Sequence, residues 1–200
     1  MDVRLIFALS ALMSFVSCSV IAKLYVWPWL GARARDQALV SLVAPHMFIR
    51  SLGLSFLVPG VVSPLLPAAF AVPAAYGDLV AGILAIAATI ALAKRASWAI
   101  AAVWAFNVWG AADLLFAFYS GPHAQLQPGT LGAAFYLLTA IVPPLLVTHF
   151  LVFRLLLRVS GAEDGSIMAG PEGARPPSLD GGEPGDHAGP LISEFSFEVK

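Results

Sequence analysis

The chain has 200 residues, of which 59% are hydrophobic and only 12% charged, with a formal net charge of -1. An average soluble domain carries about 25% charged residues, so most of this chain cannot present a water-facing globular surface, and it has no basic stripe of the kind that binds nucleic acid. Between Gln37 and Phe153 the only charged residues are Arg50, Asp78, Lys94, Arg95 and Asp113, which points to a lipid bilayer as the solvent and partner of this stretch.

A helix crosses the hydrocarbon core with about 20 apolar residues and satisfies its own backbone there. The first predicted span runs from about Leu5 to Val26 and closes on Tyr25, Trp27 and Trp29, an aromatic cluster suited to the membrane–water interface. A cleaved signal peptide is the rival reading of Met1-Asp2-Val3-Arg4 and the apolar run behind it. The run is long for a signal, and Ser17-Cys18-Ser19 leads into more apolar sequence instead of a polar start. Cys18 is the only cysteine, which excludes an intrachain disulfide and a cysteine metal cluster.

The second span is predicted from about Pro45 to Leu65, with Arg50 near its start and Pro59-Gly60 breaking its later half. The third runs from about Pro73 to Ala93 and turns through the basic Lys94-Arg95-Ala96-Ser97. The fourth extends from Trp98 to about Tyr119, before a loop containing Gly121-Pro122 and Pro128-Gly129. The fifth runs from about Leu131 to Phe153, with Pro143-Pro144 near its middle, where proline kinks a helix and frees carbonyls.

The fold class is therefore an all-α integral membrane protein. Residues 1–158 form five transmembrane helices, the second to fifth of them a four-helix bundle. Residues 159–200 are rich in Gly, Pro, Ser and acidic side chains, and such a segment buries too little apolar surface to offset its chain entropy. A disordered acidic tail is expected there. Its last ten residues, Leu191 to Lys200, alternate apolar and polar side chains, as a short strand, a docking peptide or an untethered chain end would.

Loops carrying Lys or Arg stay in the cytoplasm. Arg33 and Arg35 fall in the first loop, Lys94 and Arg95 in the third, and Arg154 and Arg158 after the last span, whereas the second and fourth loops have neither residue type. The expected orientation has the N-terminus outside and the C-terminus in the cytoplasm, in a bacterial inner membrane.

Ionisable residues at membrane depth are costly and mark candidate sites. With these spans Asp78 and Asp113 lie near the outer face, at the depth of Tyr76, Tyr119 and Tyr136, a possible cluster for a shared proton or a cation. Aspartates that merely reach the interface are the alternative, with Asp78 at the positive end of its helix. Asn107 lies mid-span, where an amide bridges helices or touches a ligand. His46, Arg50 and His149 fall toward the inner face, beside lipid phosphates or helix ends. Two histidines at one depth also suit haem or a metal, yet no carboxylate orients them. The chain has no Gly-rich phosphate loop, no Ser-His-Asp spacing and no His-Glu-x-x-His. Nothing in it names a cofactor or a metal, or marks an enzyme.

The segments Pro73-Ala74-Ala75-Tyr76-Gly77-Asp78-Leu79-Val80-Ala81-Gly82, Lys94-Arg95 and Phe106-Asn107-Val108-Trp109-Gly110-Ala111-Ala112-Asp113-Leu114-Leu115 resemble a set of small bacterial multi-pass membrane proteins without an assigned function. From Pro45 to Arg158 the layout also resembles the DoxX-like class. That resemblance implies a four-helix bundle with a basic hairpin and a link to thiol or quinone redox complexes; a single Cys in the extra first span does not supply a dithiol. Three functions stay open. One is a non-catalytic protein that assembles with itself or a membrane partner. The second is a small-molecule, ion or proton-handling protein built on the aspartates and tyrosines. The third is a DoxX-like redox accessory.

Overall fold

The computed structural model describes residues 2–168, with side chains described as far as residue 158. Among the described residues five helices are long and apolar enough to cross a membrane, and no strand is present. Helix α1 (Val3–Gly31) starts at Asp2, whose Oδ1 accepts the Arg4 backbone N–H at 2.9 Å. It keeps going past the expected Val26 by opening into a π turn at Ala22–Val26, just before Pro28. Proline lacks an N–H and its ring collides with the carbonyl four residues back, and a widened turn moves that carbonyl away. The same device recurs at Leu137–Ile141, ahead of Pro143-Pro144.

Helix α2 (Arg35–Leu57) corrects the expected 45–65 at both ends. Asp36 sits in the first turn, where the helix dipole favours a negative charge, so the polar start of the segment is helical and not a loop. The helix is α-form to Ile49 and then tightens into a 3₁₀ helix over Arg50–Leu57. Pro59-Gly60 lies beyond its end, with Gly60 at φ +87° in the turn. Helix α3 (Ala68–Ala93) begins before the expected Pro73, which sits inside the helix at the loss of one backbone donor. Helix α4 (Ala99–His123) runs through Gly121-Pro122, past the expected Tyr119. A 3₁₀ helix at Pro128–Ala134 and the second π turn lead into α5 (Val142–Met168). Its backbone stays helical through residues 159–168, where a disordered tail was expected. The rest of the expected tail, with its terminal alternating stretch, lies outside the described residues.

Helices α2 to α5 pack in a ring, each against its chain neighbour and α2 against α5, while α1 lies outside against α5. Small residues let α3 occupy the tightest position. Ala71, Ala74, Ala75, Ala81, Gly82, Ala85, Ala88 and Ala91 form its buried stripe, and small side chains allow close helix approach. One end of the bundle is basic: Arg154 and Arg158 lie over the Trp27 ring and Arg33 over Trp29, with Lys94 and Arg95 in the turn after α3. At the opposite end Arg4 donates to Gln127 Oε1 at 2.8 Å. There the two loops join, Ser63 N to Thr130 O and Ala133 N to Val61 O, both 2.9 Å.

The interior divides into two apolar halves. Toward the basic end Leu39, Val43, Leu92, Val103, Val152 and Leu156 form one core, and toward the other end Phe56, Phe70, Leu114, Leu131 and Leu138 form a second. Between them lies a layer of polar side chains.

Candidate functional site: a buried arginine between two aspartates

The polar layer is built on Arg50, whose side chain is 0% exposed. Its Nη1 donates to Asp78 Oδ1 at 2.5 Å and to Asp113 Oδ2 at 2.9 Å. Its Nη2 donates to the Gly110 carbonyl and to His149 Nε2, both at 2.8 Å. The Nε proton has no partner among the described residues. Arg50 comes from α2, Asp78 from α3, Gly110 and Asp113 from α4, and His149 from α5, so one guanidinium ties together the whole ring. Both aspartate side chains are 10% exposed.

The hydrogen-bond directions assign the histidine tautomers. Arginine only donates, so His149 Nε2 accepts and carries no proton. Its Nδ1 therefore holds the proton and donates to Asn107 Oδ1 at 2.7 Å. The Asn107 amide returns a bond from Nδ2 to the His149 carbonyl at 3.2 Å. Thr148 Oγ1 donates to the Leu145 carbonyl at 2.8 Å and thus accepts from His46 Nε2 at 2.9 Å. His46 Nδ1 then carries no proton and has no partner among the described residues. The two imidazoles lie 4.7 Å apart by centroid, with Phe106 against both.

Glycines make the room. A Cβ at Gly53 would overlap the Asp78 carboxylate, and one at Gly77 would overlap Asp113 Oδ1. At Gly110 it would stand 2.5 Å from His149 Cε1 and 2.9 Å from Arg50 Nη2. At Gly82 a Cβ would reach the Arg50 Cβ at 3.4 Å, an ordinary contact. Trp109 closes the side of the site by donating from Nε1 to the Gly77 carbonyl at 3.2 Å.

The geometry regroups the candidates. Asp78 and Asp113 do face one site, but their counterpart is Arg50 and not the phenols. Tyr76, Tyr119 and Tyr136 are 55%, 62% and 71% exposed and stay outside the layer. His46, Arg50 and His149, expected toward the opposite face from the aspartates, share their layer, and Asn107 joins through His149. The cause is helix length. Asp78 lies ten residues after Ala68, and Asp113 ten before His123. At 1.5 Å per residue each is about 15 Å from the helix end. Arg50 precedes Leu57 by seven residues of 3₁₀ helix, about 14 Å at a 2.0 Å rise. Among the described residues no group of three or more His, Cys, Asp or Glu is placed to hold a metal, and the bonded nitrogens of both histidines face protein groups.

A family model described as a domain of unknown function (DUF8737) matches residues 6–157. The chain belongs to this family. The matched stretch contains every residue of the polar layer and reaches into all five helices. It gives no support to a DoxX-like layout or to a bacterial source. No curated protein and no solved structure matches the chain.

Proposed function

We propose that the chain is an integral membrane protein of five spans, with its N-terminus outside and its C-terminus in the cytoplasm, and that the Arg50–Asp78–Asp113 group binds and releases a proton in the course of its function. The orientation rests on charge. The basic end carries Arg33, Lys94, Arg95, Arg154 and Arg158, and the opposite loops, 58–67 and 124–136, have no Lys or Arg.

The observation that carries the proton reading is the sharing of one buried guanidinium by two carboxylates. With both aspartates ionised the group has a formal charge of -1, about 15 Å from the nearer helix ends, half the ~30 Å thickness of a hydrocarbon core. An uncompensated charge at that depth is costly, and one proton on the pair removes it. Asp78 Oδ2 and Asp113 Oδ1 are the oxygens not bonded to Arg50. Packing alone gives little reason for such a group, because apolar side chains of similar volume often stabilise as well as a buried ion pair. This places proton handling ahead of a purely structural assembly role.

Purified protein reconstituted in liposomes with an entrapped pH dye tests the reading. Proton entry under an imposed inside-negative potential is expected for the native chain and is lost in Asp78→Asn and Asp113→Asn variants that still insert. Equal flux in native and variant vesicles, or none above empty liposomes, rejects it.

A further inference from the structure

Helix α1 touches α5 but leaves a gap on the side of α4. Two cavities lie along this gap, floored by successive turns of α5. The one near Arg4 and Gln127, about 710 Å³, has Val142 on its floor. The one toward the basic end, about 560 Å³, starts one turn on, at Leu146. Its walls are apolar, among them Phe15, Leu115, Leu146 and Phe150. Its basic end holds Lys23 and Arg154, beside Trp27. The Arg154 guanidinium rests 4.0 Å over the Trp27 ring, which orients it. Neither cation has a carboxylate partner among the described residues.

We infer that this second cavity binds one anionic phospholipid, with the phosphate between Lys23 and Arg154 and an acyl chain along the apolar walls toward Leu115. The inference rests on the membrane insertion and orientation proposed above, and not on the proton reading. Charge and length both select the occupant. Phe15 to Lys23 and Leu146 to Arg154 each span eight residues, about 12 Å of helix. That is close to the ~15 Å of hydrocarbon in one leaflet. A lipid whose head lies at the basic face thus fills the cavity with its chain, and a negatively charged head meets two cations at the depth of the headgroups.

Native mass spectrometry of the full chain, released from mixed micelles with phosphatidylglycerol or phosphatidylcholine, tests this. Alkaline extraction of membranes reads insertion separately. The expected result is a single phosphatidylglycerol adduct that survives activation. It weakens roughly 30-fold in Lys23→Gln/Arg154→Gln, the effect of two interfacial cations. A second variant, Leu146→Trp, fills the apolar part without touching charge and is expected to lose the same adduct. Phosphatidylcholine adducts of equal strength, or retention of phosphatidylglycerol by both variants, overturns the lipid site and leaves the membrane reading intact. Release of the native chain by alkali overturns both.

Discussion

Replacing Arg50 by Met removes four hydrogen bonds at once and strands two carboxylates, the Gly110 carbonyl and His149 Nε2 in a layer with little water access. At ~0.6 kcal/mol per bond, the average found between membrane helices, the loss is about 2.4 kcal/mol. Counted as a buried pair deprived of one partner, it is about 3–5 kcal/mol. The second figure governs if the charges remain, because the stranded carboxylates cost more than the lost bonds. The expected effect of Arg50→Met is thus a fall of roughly 100-fold or more in the ratio of folded to unfolded protein. The triple variant Arg50→Met/Asp78→Asn/Asp113→Asn removes the stranded charges and is expected to recover a large part of that loss. SDS titration in mild-detergent micelles, followed by tryptophan fluorescence, measures both; Trp109 reports directly, since it bonds Gly77 beside Asp78. An Arg50→Met protein that unfolds with the native midpoint refutes the reasoning. So does a triple variant no more stable than the single one.

Three further outcomes follow from the geometry. Gly77→Ala and Gly110→Ala push a methyl into Asp113 and into His149 with Arg50, so each is expected to cost about 1–3 kcal/mol. Gly129→Ala meets nothing within 4 Å and should stay within about 0.5 kcal/mol in the same titration. Nitrogen-15 NMR of histidine-labelled protein is expected to show His149 protonated at Nδ1 and His46 at Nε2. A His149 found as the Nε2–H tautomer contradicts its bond from Arg50, and Asn107→Ala should release the Nδ1 preference. In a Cys18→Ser background, Leu65→Cys and Gly129→Cys should react with a membrane-impermeant maleimide from outside intact cells, and Ser97→Cys only after permeabilisation. The reverse pattern inverts the orientation.

The number of helices was legible from composition, because five long apolar segments separated by Gly, Pro or basic residues leave few other partitions. Their ends were not. Asp36, Gln37 and Ser41 read as loop on polarity, yet a first helical turn tolerates an acid and its polar neighbours. Pro73 and Pro122 read as boundaries, yet a proline near a helix end removes only one bond. The polar groups were displaced by two to three turns in α2 and by little more than one turn in α3 and α4. With α2 shifted toward its C-terminal side, Arg50 moved toward one face, and with α3 and α4 shortened, the aspartates moved toward the other. Three separate misplacements therefore split one site into two clusters.

The residues themselves held a sign that depth assignment overlooked. Gly53 lies three residues after Arg50 and Gly110 three before Asp113, so on a helix each shares a face with its charged residue. Gly77 adjoins Asp78, and Gly82 lies one turn beyond it. A lipid-facing or interfacial charge needs no glycine beside it, since its side chain leaves the helix pair. A charge directed between helices does need one, because a Cβ on the facing turn would occupy the space of the carboxylate or guanidinium. At Arg50, Asp78 and Asp113 a glycine at one-turn spacing accompanies a charge turned inward. By that sign the three belong together in the interior. Tyr76 and Tyr119 stand close in sequence to two of them, which shows that neighbouring positions on a helix need not share a face.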